Sequence, residues 1–141
     1  MAETRFVAKA LVFDASGQFL CLTRSDSHPT LAGNYDLPGG MVEAGEEPGE
    51  AIVREIFEET QLKVEPDQCE VVYAVTQFLH DRSFPTLLYK VLLKEVAPEI
   101  TLSYEHKAAS WEPLERIAEV EPHIAPTYRE ALDYLRQHGM L

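Results

Sequence analysis

Apolar residues along this chain gather in short dense runs, and the spacing inside each run separates strands from helices. Residues 6–13 are rich in β-branched and aromatic side chains, Asp14-Ala15-Ser16-Gly17 supplies turn chemistry, and a second apolar run follows at 19–22. Together they predict a β-hairpin. Residues 25–33 are polar and include Pro29 and Gly33, the composition of an exposed loop, after which residues 35–38 run extended into the pair Gly39-Gly40. The period then changes. Pro48 suits the first turn of a helix, and Ala51, Ile52, Ile56 and Leu62 recur at helical intervals, predicting a helix over 48–60 whose apolar face docks on a sheet.

Beyond Pro66, residues 71–79 and 87–93 alternate or cluster as strands, with Asp81, Arg82 and Ser83 in the loop between them, and residues 107–111 form a short further strand. Pro126 opens a last pattern with Ala131, Leu132 and Leu135 on one face, and Gly139 stands where a helix stop is expected. There is no internal repeat and no low-complexity tract. Strands, helix, strands, helix is the order of an α+β chain, an α/β/α sandwich with a mixed β-sheet between helices.

With 141 residues, 45% of them hydrophobic, the chain has the size of one globular domain, residues 1–141. Its net charge of -12 argues against a nucleic-acid partner, which needs a basic face. The same acidity would repel a polyphosphate unless divalent cations lay between protein and substrate, so phosphate chemistry here presupposes a metal. Cys21 and Cys69 are too few and too far apart for a zinc cluster or a disulfide framework and are expected to be buried free thiols. Residues 1–5 lack the basic-then-apolar pattern of a signal peptide and no apolar run is long enough to span a bilayer, so a cytoplasmic protein without a membrane partner is expected.

Within the expected helix, Glu55, Glu58 and Glu59 stand at i, i+3 and i+4, within reach of one another. Each like-charge pair costs an isolated helix roughly 0.2–0.5 kcal/mol, and the helix dipole disfavours negative charge in the last turns. A solvated acidic face is one explanation in a chain with 24 acidic residues. A bound Mg²⁺ or Mn²⁺ is the other, since hard divalent ions take carboxylate oxygens and remove both penalties. Arg54 can pair with Glu50 or Glu58 at four-residue spacing, or with Glu46 from the preceding loop.

The surrounding spacing favours the metal. From Gly40 the chain gives five residues, Glu46, seven residues, Arg54-Glu55, apolar Ile56, one residue, Glu58-Glu59, one residue, Gln61 and apolar Leu62. This resembles the Nudix box, in which Gly stands where this chain has Gln61. Leu37-Pro38-Gly39-Gly40 is similar to the strand and loop that lead into the box in that family, and the order of elements resembles a minimal MutT-like member over nearly the whole chain.

The resemblance implies attack of water on a phosphorus of a pyrophosphate linkage, with a nearby Glu accepting its proton. It implies Glu58 and Glu59 as metal ligands, Glu55 as a ligand or general base, the Gly39 carbonyl as a further ligand, Arg54 as an orienting residue, and Glu46 as a loop-to-helix tie, with Gly40 facing substrate. Family members also recruit an acid from a distant loop, for which Glu105 is the candidate; Arg24, at a strand end, is the candidate for a substrate phosphate. His28, His80 and His123 can meet a base or move a proton, or simply lie on the surface; Phe78 can stack on a base, and Trp111 is expected in the core.

The family's markers for ADP-ribose and for dinucleoside polyphosphates are absent around Thr76-Gln77-Phe78, so a small nucleotide substrate is expected, a nucleoside triphosphate ahead of ADP-ribose or an NDP-sugar. The loops at 25–33 and 81–85 would read the remainder of the substrate. A Nudix-fold sensor without catalysis is the alternative from another class, and sheet edges leave room for a homodimer.

Overall fold

The computed structural model describes residues 3–28, 32–120 and 126–141. In chain order it contains β1 (Glu3–Thr4), β2 (Val7–Phe13), β3 (Phe19–Arg24), β4 (Tyr35–Asp36), β5 (Gly39–Met41), α1 (Pro48–Thr60), β6 (Cys69–Leu79), β7 (Arg82–Leu92), β8 (His106–Glu112), α2 (Ile117–Val120) and α3 (Pro126–Gln137).

β2 is the spine of the sheet. It runs parallel to β7 from Val7 opposite Thr86 to Phe13 opposite Leu92. Its other edge meets β5 and, at Phe13 opposite Phe19, β3 in antiparallel fashion. A strand covered on both faces must be apolar almost throughout, and every β2 residue after Val7 is buried. Leu11 and Phe13 join Tyr128, Ala131, Leu132 and Leu135 of α3 in one core cluster. Ala8, Ala10 and Val12, on alternate positions, join Ala51, Ile52 and Ile56 of α1 in the other. The result is the expected mixed sheet held between helices.

The hairpin expected at 6–13 and 19–22 forms only at its turn, because β3 leaves β2 to pair with β8 and β4. The space this opens on the edge of β2 is filled by β5, with Ala8 opposite Gly40 and Lys9 opposite Gly39, while Pro38 O accepts the Ala10 N–H. The glycine loop is thereby fixed against the centre of the sheet.

The loop expected after residue 79 is corrected. Arg82 and Ser83 are not in a loop, and residues 81–85 do not form a substrate-reading loop: β7 begins at Arg82, leaving only His80 and Asp81 at the turn. Arg82 and Ser83 pair with β1 on one side and β6 on the other. Pro85, which has no N–H to give, sits between the stretch paired with β1 and the stretch paired with β2. Cys21 is buried as expected, but Cys69 is only half-buried; burial pushes the two thiols up to about 12 and about 11 respectively. Trp111 packs at the edge of the α1-side core, half-buried, with its indole N–H donated to Pro98 O. No helix among the described residues is long and apolar enough to cross a membrane.

Candidate metal and phosphate site

α1 occupies the expected residues. Pro48 opens it and the Glu47 N–H is accepted by Glu50 Oε1 at 3.3 Å. At the other end Gln61 takes the left-handed conformation, φ 64°, and donates its N–H to Phe57 O at 2.8 Å. Gln61 thus adopts the geometry for which glycine is cheaper, and the helix end is preserved despite the substitution in the box.

Arg54 gathers the acids at the outer side of the glycine loop. Its Nε and one terminal nitrogen grip the two oxygens of Glu46 at 2.8 and 3.0 Å, and the latter nitrogen also bonds Met41 O. The other terminal nitrogen reaches Glu55 at 3.0 Å, Glu58 at 3.2 Å and Glu43 at 3.7 Å. One guanidinium therefore faces four carboxylates. Its hydrogen bonds hold Glu46 down to about 2, and the same contacts, led by Glu46, raise the Arg54 pKa. Glu50 is not a partner of Arg54 in these ion pairs.

Glu59 lies on the sheet-facing side of α1 and is 1% exposed. Its Oε1 accepts the Gly39 N–H at 3.0 Å, while Oε2 has no hydrogen-bond partner. Burial pushes this carboxyl up to about 8, against the opposing pull of the Lys9 charge and the Gly39 N–H. Gly39 is sterically required, since a Cβ there would lie 2.1 Å from Ala8 O at a φ of 137°, whereas a Cβ on Gly40 would lie 2.6 Å from Glu55 Oε1, the movable end of a side chain. Gly40 thus makes room for the Glu55 carboxylate.

Behind the glycine loop lies a group the sequence did not disclose. Asp36, buried, takes Lys9 Nζ at 3.1 Å and Arg24 Nη2 at 2.9 Å on one oxygen and His106 Nε2 at 2.9 Å on the other. Burial alone would raise the Asp36 pKa; Lys9, the His106 hydrogen bond and Arg24 overcome it and hold the group below the usual carboxylate range. A bulge between Thr23 and Arg24 shifts the register so that Arg24 stands opposite His106. Lys9 also reaches Leu37 O at 3.0 Å and Gly39 O at 3.4 Å. The available signal was Lys9 itself, a lone cation in the buried run of β2, which demands a buried partner.

A cleft of about 300 Å³ opens beside Gly39, lined by Lys9, Arg24, His28, Tyr104, Glu105 and His106 among others. Arg24 and the exposed Glu105 therefore face the same space as the glycine loop, whereas Glu55 and Glu58 lie outside its lining. His80 sits exposed at the β6–β7 turn and Phe78 is 75% exposed nearby, neither lining this cleft. His123 and residues 29–31 lie outside the described residues.

The donors fit a hard divalent ion. The oxygens that Glu55, Glu58, Glu59 and the Gly39 carbonyl would offer are of the type such ions take. The four carboxylates around one guanidinium leave negative charge in excess, and the unpartnered Glu59 Oε2 is a buried oxygen in want of a positive group.

The comparisons with known proteins agree with this fold. The chain is 33% identical over 114 residues to a MutT-like protein of Streptomyces ambofaciens, covering 78% of this chain and 67% of that one. The crystal structure of a MutT protein from Methanosarcina mazei superposes with a TM-score of 0.83 at 28% identity, covering 99% of this chain and 98% of the other. A bifunctional NMN adenylyltransferase/ADP-ribose pyrophosphatase from Francisella tularensis, solved with AMP and a manganese ion, shares the fold at a TM-score of 0.76 and 20% identity, over 98% of this chain and 42% of that one. The model of the NUDIX domain matches residues 3–135, and with that match the chain belongs to the Nudix family of pyrophosphohydrolases.

Proposed function

We propose that this protein hydrolyses the pyrophosphate linkage of a nucleoside diphosphate joined to another group, with Mg²⁺ or Mn²⁺, and that a nucleoside triphosphate is its preferred substrate, ahead of ADP-ribose or an NDP-sugar. The observation that carries the reading is the opposition of charge across the Gly39-Gly40 loop. On one side four carboxylates share Arg54; on the other Lys9 and Arg24 converge on Asp36 in the lining of the cleft, with Glu105 on its wall. A polyphosphate laid across that loop meets cations on the cleft side and, through bound metal, the acids of α1 on the other.

In this reading Glu58, Glu59 and the Gly39 carbonyl hold metal, Glu55 is a ligand or takes the proton of the attacking water, and Arg54 keeps the acids aligned. A divalent ion bound there neutralises phosphate oxygens and lowers the pKa of the attacking water. Gly40 clears the approach to Glu55, Arg24 binds a phosphate oxygen, Glu105 adds an acid from the cleft wall, and the cleft receives the remainder of the nucleotide. The relatedness to MutT-like proteins supports the triphosphate preference.

The test is chromatographic detection of the nucleotide products formed from nucleoside triphosphates, ADP-ribose, NDP-sugars and dinucleoside polyphosphates with Mg²⁺ and with Mn²⁺. Turnover of triphosphates that disappears in Glu58→Gln, with the fold intact by circular dichroism, is expected. Absence of turnover on every substrate would favour the sensor alternative.

A further inference from the structure

Two buried side-chain atoms among the described residues lack a hydrogen-bond partner, Glu59 Oε2 and His106 Nδ1, and they face each other at 3.6 Å. Burying an unpartnered polar atom is costly; two that point at one another serve each other once the gap closes. N–H···O bonds form at about 2.7–3.2 Å, so a shift of a few tenths of an ångström suffices.

The ring has little freedom to do anything else. His106 is 5% exposed and its Nε2 is held by Asp36 Oδ2 at 2.9 Å. Asp36 is itself fixed, because its other oxygen is occupied by Lys9 and Arg24. The imidazole is thus braced from behind by β4 and aimed at α1. Glu59 is held from the other side by the Gly39 N–H.

We propose that His106 is a positioning residue for Glu59, its Asp36-anchored ring fixing the plane of the Glu59 carboxyl beside the Gly39 carbonyl. The proposal rests on the metal reading of Glu58 and Glu59 above. Because the Asp36 carboxylate can only accept, His106 Nε2 donates to it, and Nδ1 donates to Glu59 from a ring protonated on both nitrogens. Each carboxylate oxygen has two lone pairs, so Glu59 held by Gly39 and by that ring still offers a lone pair to metal. His106 acts through Glu59 and not as a ligand, because Lys9 and Arg24 already crowd its far side with positive charge. Groups that orient a ligand in this way commonly alter metal affinity about 10- to 100-fold when removed.

The experiment measures Mn²⁺ affinity by electron paramagnetic resonance of the free ion in the wild type, His106→Phe, His106→Gln and Glu58→Gln, together with melting temperatures without metal. His106→Phe keeps the ring shape and is expected to weaken Mn²⁺ binding ~10-fold or more, while His106→Gln, which retains an amide donor, recovers most of the loss. Wild-type affinity in Glu58→Gln would overturn the metal reading itself. Loss of binding in Glu58→Gln with wild-type affinity in a folded His106→Phe would overturn the positioning role alone. Should His106→Phe not fold, the ring ¹⁵N resonances of His106 decide in the intact protein. They are expected to shift on Mg²⁺ addition in the wild type and not in Glu59→Gln; resonances unmoved at saturating Mg²⁺ would overturn the proposal.

Discussion

Asp36 and Arg54 head two ion networks that meet at the Gly39-Gly40 loop, and they are opposites. Around Asp36 one buried carboxylate serves Lys9, Arg24 and the His106 ring. Around Arg54 one guanidinium, only partly covered, serves four acids, of which Glu43 and Glu58 reach out to solvent while Glu46 and Glu55 are mostly covered. The first surrounds an anion with positive groups in the interior, where a broken pair leaves stranded charge. The second keeps negative charge in excess at the surface, where individual pairs contribute little to stability. The difference teaches a division of labour: the buried network holds β2, β4 and β8 in place behind the loop, and the exposed one prepares a cation site in front of it.

The contrast should show most strongly in stability. Asp36→Ala strands Lys9 and Arg24 in the core and is expected to cost about 3–5 kcal/mol in urea unfolding. The same carboxylate sets an acid limit. Because its folded pKa is depressed, its contribution is fully present above the unfolded carboxylate value and is lost as the pH falls through that value toward the lower folded one. Stability of the wild type should therefore decline in that acid window more steeply than that of Asp36→Ala; parallel curves would show that Asp36 is not the group responsible.

Changes at the exposed network should move stability less. Gln61→Gly removes a left-handed Gln at the end of α1 and is expected to stabilise by up to about 1 kcal/mol, with no change in metal dependence. Arg54→Lys gives up the two-pronged grip on Glu46 and should cost at most about 1 kcal/mol in thermal melts, while turnover falls because the acids lose their alignment. A larger stability loss in Arg54→Lys than in Asp36→Ala would reverse the assignment of roles.

The contrast also explains what the sequence could disclose. The Arg54 network is local: its acids lie on one helix and the loop before it, so fixed spacing exposed nearly all of it. Both long helices, with Pro at the start of each, were legible for the same reason. The Asp36 network joins β2, β3, β4 and β8, which are brought together by sheet pairings that no spacing along the chain encodes. His106 and Asp36 are therefore not legible along the chain, and the one available signal is Lys9, a cation within an apolar run. Glu59 reads in sequence as one more acid of the triplet, yet it shares the sheet-facing side of α1 with Ile52 and Ile56. Arg82 and Ser83 read as loop in the sequence for a related reason, since their strand character comes from β1 and β6 flanking them, not from their own polar composition, while Asp81 is at the turn as expected.

Thermal unfolding with increasing Mg²⁺ tests the central claim most directly. A ligand that binds the folded state alone stabilises it by about 2.7 kcal/mol at a hundred times its dissociation constant. The wild-type melting temperature should therefore climb with Mg²⁺, and that of Glu58→Gln should stay flat. A wild-type melting temperature indifferent to Mg²⁺ and Mn²⁺, or a Glu58→Gln protein that responds as the wild type does, would contradict the account.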